Sequence, residues 1–129
     1  MTDLLARAET ALRSARVLLE MGDAAGATNR AYFAAFDAAR AVLAASAGVE
    51  VEAIRTHRGI THAFEVEIVR AGLIERDTGK LLTLLMEMRW AADYPIAVLT
   101  LVDAARAVAA AEAFLDKCAP LAATRRPAR

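Results

Sequence analysis

The stretch EMRWAADYP, residues 87–95, sets a cation, an indole, an anion and a phenol at the end of a leucine-rich run. Arg89 carries paired N–H donors suited to gripping a phosphate. Arg89 and Asp93 are four residues apart, which on a helix makes them neighbours. The plainest reading of that spacing is a surface ion pair contributing about 0.3–0.5 kcal/mol. Asp93, held ionised beside a guanidinium, is a poor proton donor near neutral pH. A second set lies upstream: Arg30 and Asp37 fall two turns apart on one face with Phe33 between them, and Asn29, Tyr32 and Arg40 belong to the same segment. This set reads as a partly buried salt bridge that orients the bundle, or as one wall of a groove whose other wall holds Arg89.

Two histidines, His57 and His62, stand five apart in RTHRGITHAF, followed by Glu65 and Glu67. A metal site needs several converging ligands, and the HExxH spacing is absent, so no metal is expected. His57 reads as a helix-start residue or a polar group of the groove. Cys118 is alone, which excludes an internal disulfide; with no His partner indicated, it reads as an inert thiol. There is no GxGxxG, no Walker lysine loop, no GxSxG elbow and no aromatic-rich basic RNA motif.

Helices must position these residues. Apolar residues recur with helical period, and the breakers are few. A first helix is expected over about residues 2–21, capped by Thr2 or Asp3, with Leu4, Leu5, Ala8, Ala11, Leu12, Ala15, Leu18 and Leu19 in one stripe. A second, about 23–48, has one small-residue side, Ala27, Ala31, Ala34, Ala35, Ala38, Ala41 and Val42, which lets a neighbouring helix approach closely. Its other side mixes aromatic and charged groups. After the loop GVEVEAIRTH, a third helix spans about 57–70 with Ile60, Phe64, Ile68 and Ala71 on one side. The fourth covers about 75–94, with Leu81, Leu84, Leu85, Met88 and Ala92 inward. The fifth covers about 96–118, with Leu101, Ala104, Val108, Ala111 and Leu115 inward. On the fourth helix, Leu82, Met86, Arg89 and Asp93 share a face turned from that core stripe, with Trp90 at its edge. Leu82, Met86 and Trp90 are therefore the expected self-association face, since Met and Trp beside Arg are typical of interface cores. The architecture expected is all-α, an up-and-down bundle of four to five helices.

The 129 residues suit one domain, expected over 1–118, followed by a basic tail, 119–129, expected to be disordered. Hydrophobic residues make up 57% and aromatics 5%, so the apolar content is mostly helix-favouring Ala, Leu and Val. Sixteen basic residues balance sixteen acidic ones, so net charge gives no push toward nucleic acid or membrane, although a local basic groove remains open. The most apolar segment, PIAVLTLVDAARAVAAAEAFL, is interrupted by Asp103, Arg106 and Glu112, and it is not read as a membrane span. The N-terminus lacks the order of a signal peptide, and the lone thiol fits a cytoplasmic setting.

Three segments in order, NRAYFAAFDAARAVL (29–43), RTHRGITHAF (55–64) and MRWAADY (88–94), resemble the HEPN domain, the higher eukaryote and prokaryote nucleotide-binding family, in its small stand-alone bacterial and archaeal branch. The resemblance covers nearly the whole chain. It implies a four- to five-helix bundle, often a homodimer with a cleft between protomers. Many members are metal-independent RNases, frequently toxins, and others pair with a minimal nucleotidyltransferase. The family's RNase signature is an Arg followed, after a gap of four to six residues, by a His. Arg89 matches the Arg, but Trp90 follows it, and Asp93 and Tyr94 stand where the His is expected. A His can move the 2′-OH proton near neutral pH, whereas an ordinary Asp is a weak base. The resemblance therefore implies a dimeric nucleotide- or RNA-binding module acting with a nucleotidyltransferase partner. Its binding residues are Arg30, Tyr32, Arg89 and Tyr94, and it has no cofactor. Arg89, Asp93 and Tyr94 are the catalytic candidates if a divergent RNase site survives. A structural interaction protein without a ligand is the third reading.

Overall fold

The computed structural model describes residues 3–93 and 99–123, with the Asp93 side chain outside the described groups. Tyr94 and residues 124–129 also lie outside them. Five α-helices follow in order: α1 (Leu4–Glu20), α2 (Ala24–Ala47), α3 (His57–Phe64), α4 (Arg76–Asp93) and α5 (Leu101–Ala123). A 3-10 turn, Val51–Ala53, precedes α3, and a π-helical turn, Glu65–Val69, extends it. Among the described residues there is no strand, so the fold is the all-α bundle expected.

Side chains set the helix starts. The Asp3 carboxylate accepts from the Ala6 N–H at 3.1 Å, Asp23 from Gly26 at 2.8 Å, and the Thr56 hydroxyl from Gly59 at 2.9 Å. α5 opens on a reciprocal cap. The Thr100 hydroxyl accepts from the Asp103 N–H at 3.1 Å, while the Asp103 carboxylate accepts from the Thr100 N–H at 3.1 Å and from its hydroxyl at 2.9 Å. Those bonds favour the ionised carboxylate and hold the Asp103 pKa below its ordinary value. Between α1 and α2 the chain turns at Gly22, whose φ of 83° suits a residue without Cβ.

α2 is the central helix. It packs chiefly on α1 and α5 and also meets α3 and α4. All seven small residues expected to face a neighbour, Ala27, Ala31, Ala34, Ala35, Ala38, Ala41 and Val42, are buried. Around them the core takes Leu4, Ala8, Leu12 and Ala15 from α1, and Ile60, Phe64 and Ile68 from α3 and its extension. Ala104, Val108, Ala111, Phe114, Leu115 and Cys118 come from α5. The Phe64 and Phe114 rings meet with centroids 5.5 Å apart. Burial pushes the Cys118 thiol up to about 12, so it stays protonated and unreactive.

Three expectations are corrected. Leu82 is 1% exposed and belongs to the core, not to an outer face. The inward stripe of α4 is Thr78, Leu82 and Leu85, whereas Leu84, expected inside, is 44% exposed. At Gly79 α4 comes close to the π-helical turn: a Cβ there would stand 2.7 Å from Val69 Cγ2. In the middle of a helix a glycine costs about 0.5–1 kcal/mol, and close packing against Val69 is what it secures here. Second, Leu101, the first residue of α5, is exposed, and so is Ala71 after α3; in α5 the inward stripe begins a turn later, at Ala104. Third, α5 runs past Cys118 to Ala123 despite Pro120. Its last turn is tied to α2 by the Ser46 hydroxyl, which donates to the Leu121 carbonyl at 3.0 Å, one of the end carbonyls a helix leaves unpaired.

Candidate functional site

The site is built where α2, the start of α3 and the end of α4 converge. Tyr32, Phe33 and Phe36 lie within five residues on α2, so their rings project from adjacent turns and touch: Tyr32–Phe33 centroids are 5.3 Å apart and Tyr32–Phe36 5.8 Å. His57, the first residue of α3, lays its imidazole on this platform. It stacks on Phe36 at 4.4 Å and on Tyr32 at 5.5 Å, and meets Phe33 edge-on at 5.9 Å. The Tyr32 hydroxyl and His57 Nδ1 are 2.5 Å apart.

Three arginines surround the aromatic groups. The Arg89 guanidinium, from α4, lies 5.3 Å from the Tyr32 ring centroid and 5.1 Å from that of Phe33. Arg30 lies 4.9 Å from the Phe33 centroid, and Arg40 lies 5.7 Å from that of Phe36. Cation–π contacts of this kind contribute about 0.5–2 kcal/mol each, more as they lose water. The charges are not evenly balanced. Asp37, nearly buried, pairs with Arg40 at 3.4 Å and with Arg7 of α1 at 3.8 Å. The Arg30–Asp37 salt bridge considered from the sequence is therefore replaced by these two pairs. Arg30 instead reaches the Asn29 side-chain carbonyl at 3.3 Å. Among the described residues neither Arg30 nor Arg89 has a carboxylate within 4.0 Å, and the buried Arg89 Nε–H has no acceptor.

The electrostatics follow. Burial, then the positive fields of Arg89 and Arg40, hold the His57 pKa below its ordinary value, so the imidazole is neutral at pH 7. Burial pushes the Tyr32 phenol up to about 12, with Arg89 opposing and Asp37 adding to the rise. The phenol therefore keeps its proton and has no acceptor but His57 Nδ1 among the described residues.

Arg30 and Arg89, for which a shared groove was one of the two sequence readings, both lie against the Phe33 ring, at 4.9 and 5.1 Å from its centroid. Tyr32, expected as a binding residue, is fully buried and touches His57, Phe33 and Arg89. Asp93 and Tyr94 fall outside the described side chains. His57 was marked only as a helix-start or groove residue. Nothing in the spacing from 57 to 89 announces that the two residues converge, and the signal available was the Thr56 cap that starts α3 at His57. Of the expected outer face, Met86 is half-buried and Trp90 is 47% exposed.

The HEPN domain family matches this chain over residues 1–121. A protein of Methanocaldococcus jannaschii named "Putative toxin MJ0605" is 32% identical over 114 residues, covering 88% of this chain and 82% of its own length. A protein of Pyrococcus horikoshii named "UPF0332 protein PH1297" is 39% identical over 75 residues, covering 58% of this chain and half of its own. No solved structure matches significantly. Among the described residues no helix is long and apolar enough to cross a membrane. With the family matched along nearly the whole chain, the chain belongs to the HEPN domain family.

Proposed function

We propose that this chain is a phosphate-gripping module that binds a nucleotide or RNA as a homodimer and acts with a minimal nucleotidyltransferase in a toxin–antitoxin-like pair. The observation that supports the binding most directly is the pair of guanidinium groups, Arg30 and Arg89, set on the Phe33 ring without a carboxylate partner among the described residues. A buried cation is normally paired, and a buried N–H such as Arg89 Nε normally has an acceptor. A phosphate oxygen supplies both in one group, with charge-assisted bonds about twice as strong as neutral ones. The toxin name borne by the M. jannaschii relative supports the pairing reading.

Titration with AMP, ATP and short RNA tests the reading. Saturable binding that Arg89→Ala weakens is the expected result; identical null titrations for wild type and variant would remove it. Co-purification with a nucleotidyltransferase encoded nearby tests the partner. The homodimer is proposed through the outer side of α4, where Met86 and Trp90 stand four residues apart. Sedimentation as a clean monomer at high micromolar concentration would sink it. The second reading, a metal-independent RNase with a divergent site, rests on the family match and the toxin name of the M. jannaschii relative. Cleavage of labelled RNA in EDTA, unchanged by Arg89→Ala, would rule it out.

A further inference from the structure

Resting on that phosphate-binding reading, we infer that His57 is a ligand-binding residue of the same site: a neutral imidazole, locked by Tyr32 with its Nε2–H outward, that donates to an oxygen of the phosphate held by Arg89. The geometry assigns the tautomer. The Tyr32 hydroxyl hydrogen is fully buried and finds one acceptor among the described residues, His57 Nδ1 at 2.5 Å. Spending the Nδ1 lone pair on that bond places the ring proton of a neutral imidazole on Nε2. Nε2 has no hydrogen-bond partner among the described residues and is not among their buried unpartnered atoms. Stacking on Phe36 and Tyr32 fixes the plane of the ring. Arg89 is placed over Tyr32 and Phe33, the same rings that His57 touches. His57 of α3 and Arg89 of α4 thus share the Tyr32 and Phe33 rings, and Arg30 lies on the Phe33 ring as well.

The arrangement also defines which nitrogen does what. The charged and titratable groups acting on His57 are Tyr32 and Arg40 from α2 and Arg89 from α4, while Asp37 acts on Tyr32. The three are an un-ionised phenol and two cations, so the imidazole stays uncharged and serves as a hydrogen-bond donor. An outward Nε2–H cannot accept a 2′-OH proton, so this His supports gripping a phosphate, and a cleavage step would require the other tautomer. Tyr32 is a positioning residue: it acts on the ligand only through His57.

The chain holds two histidines, so long-range ¹H–¹⁵N spectra of the full-length protein at pH 7.5 read them directly, with His62→Gln giving the assignment. The expected result is a His57 with bare Nδ1 and protonated Nε2, beside an exposed His62 that averages between tautomers. Tyr32→Phe, which keeps the ring, is expected to return His57 to the averaged pattern. If the variant melts early, the wild-type spectrum still decides the tautomer. A wild-type His57 with protonated Nδ1, or one averaged like His62, overturns the inference. AMP is then added, with adenosine as the phosphate-free control. AMP is expected to move the His57 signals, adenosine to leave them in place, and His57→Ala to weaken AMP binding about tenfold, the loss of one hydrogen bond of about 1.4 kcal/mol. Arg89-dependent AMP binding with unmoved His57 signals would discard the role of His57 and leave the phosphate reading standing. Absence of AMP, ATP and RNA binding in wild type and Arg89→Ala alike would discard both.

Discussion

One side of α2, Ala27, Ala31, Ala34, Ala35 and Ala38, is sealed within a helix that packs chiefly on α1 and α5, while the side toward α3 and α4 carries Tyr32, Phe33, Phe36 and the arginines. The alanine side is completed by folding. Its side chains have no polar atoms, so once water is excluded nothing is left unmet. The aromatic side is not completed in the same way. Arg89 loses water at Nε and gains two ring faces but, among the described residues, no acceptor and no counter-charge. A region that buries only apolar surface contributes stability, whereas a region that buries part of a cation without a partner gives up stability that a ligand can restore. The same helix serves both because its two sides point to different neighbours.

Four measurements break or sharpen that contrast. The largest effect is expected from Phe114→Ala in the apolar core: a loss of about 3–5 kcal/mol in urea unfolding, with nucleotide affinity unchanged where the protein remains folded. Next is Ala38→Leu, which overfills a fully buried small position and is expected to cost about 1–3 kcal/mol by the same method; a neutral outcome would show the helices on that side to be looser than described. Arg89→Leu is expected to change stability by less than about 1 kcal/mol, because lost cation–π contacts are offset by removal of a buried unpartnered donor, while AMP binding falls sharply. A loss well beyond that, with unaltered binding, would make Arg89 a structural residue and favour the ligand-free reading. The smallest effect is on pH dependence. Because the His57 pKa is lower in the folded chain, its contribution is complete above the unfolded value of about 6.5 and is lost as pH falls through the folded one. Wild-type Tm is thus expected to drop more on acidification below that value than the Tm of His57→Gln. Tyr32 runs the opposite way: its contribution is complete below pH 10 and is lost as pH rises toward about 12.

Particular residues show what was legible. The alanine positions of α2 were readable because their spacing leaves one small-residue side and no other element could use it. The caps at Asp3 and Asp23, and the glycine stop after α1, are local chemistry confined to one turn. α4 was misread because it is leucine-rich on more than one side: Leu81, Leu82, Leu84 and Leu85 allow two stripes, and period alone does not choose between them. The choice lies in packing between helical segments, of which the close approach of Gly79 to Val69 is one contact. In the site, Arg30, Tyr32 and Arg89 were selected for their chemistry, but the burial of Tyr32 was not legible. His57 was passed over because a family spacing places the histidine after the arginine, on the same helix.

By itself, the sequence determined the helices, their number, the closely packed face of α2 and the arginines able to hold an anion. These follow from periodicity, capping and side-chain type, which act within a few residues of backbone. Only the tertiary structure decided which way α4 turns, which carboxylate pairs with which arginine, and that Tyr32 and His57, 25 residues apart, meet at 2.5 Å. Those outcomes depend on how separate helices exclude water from one another, and no local spacing carries that information.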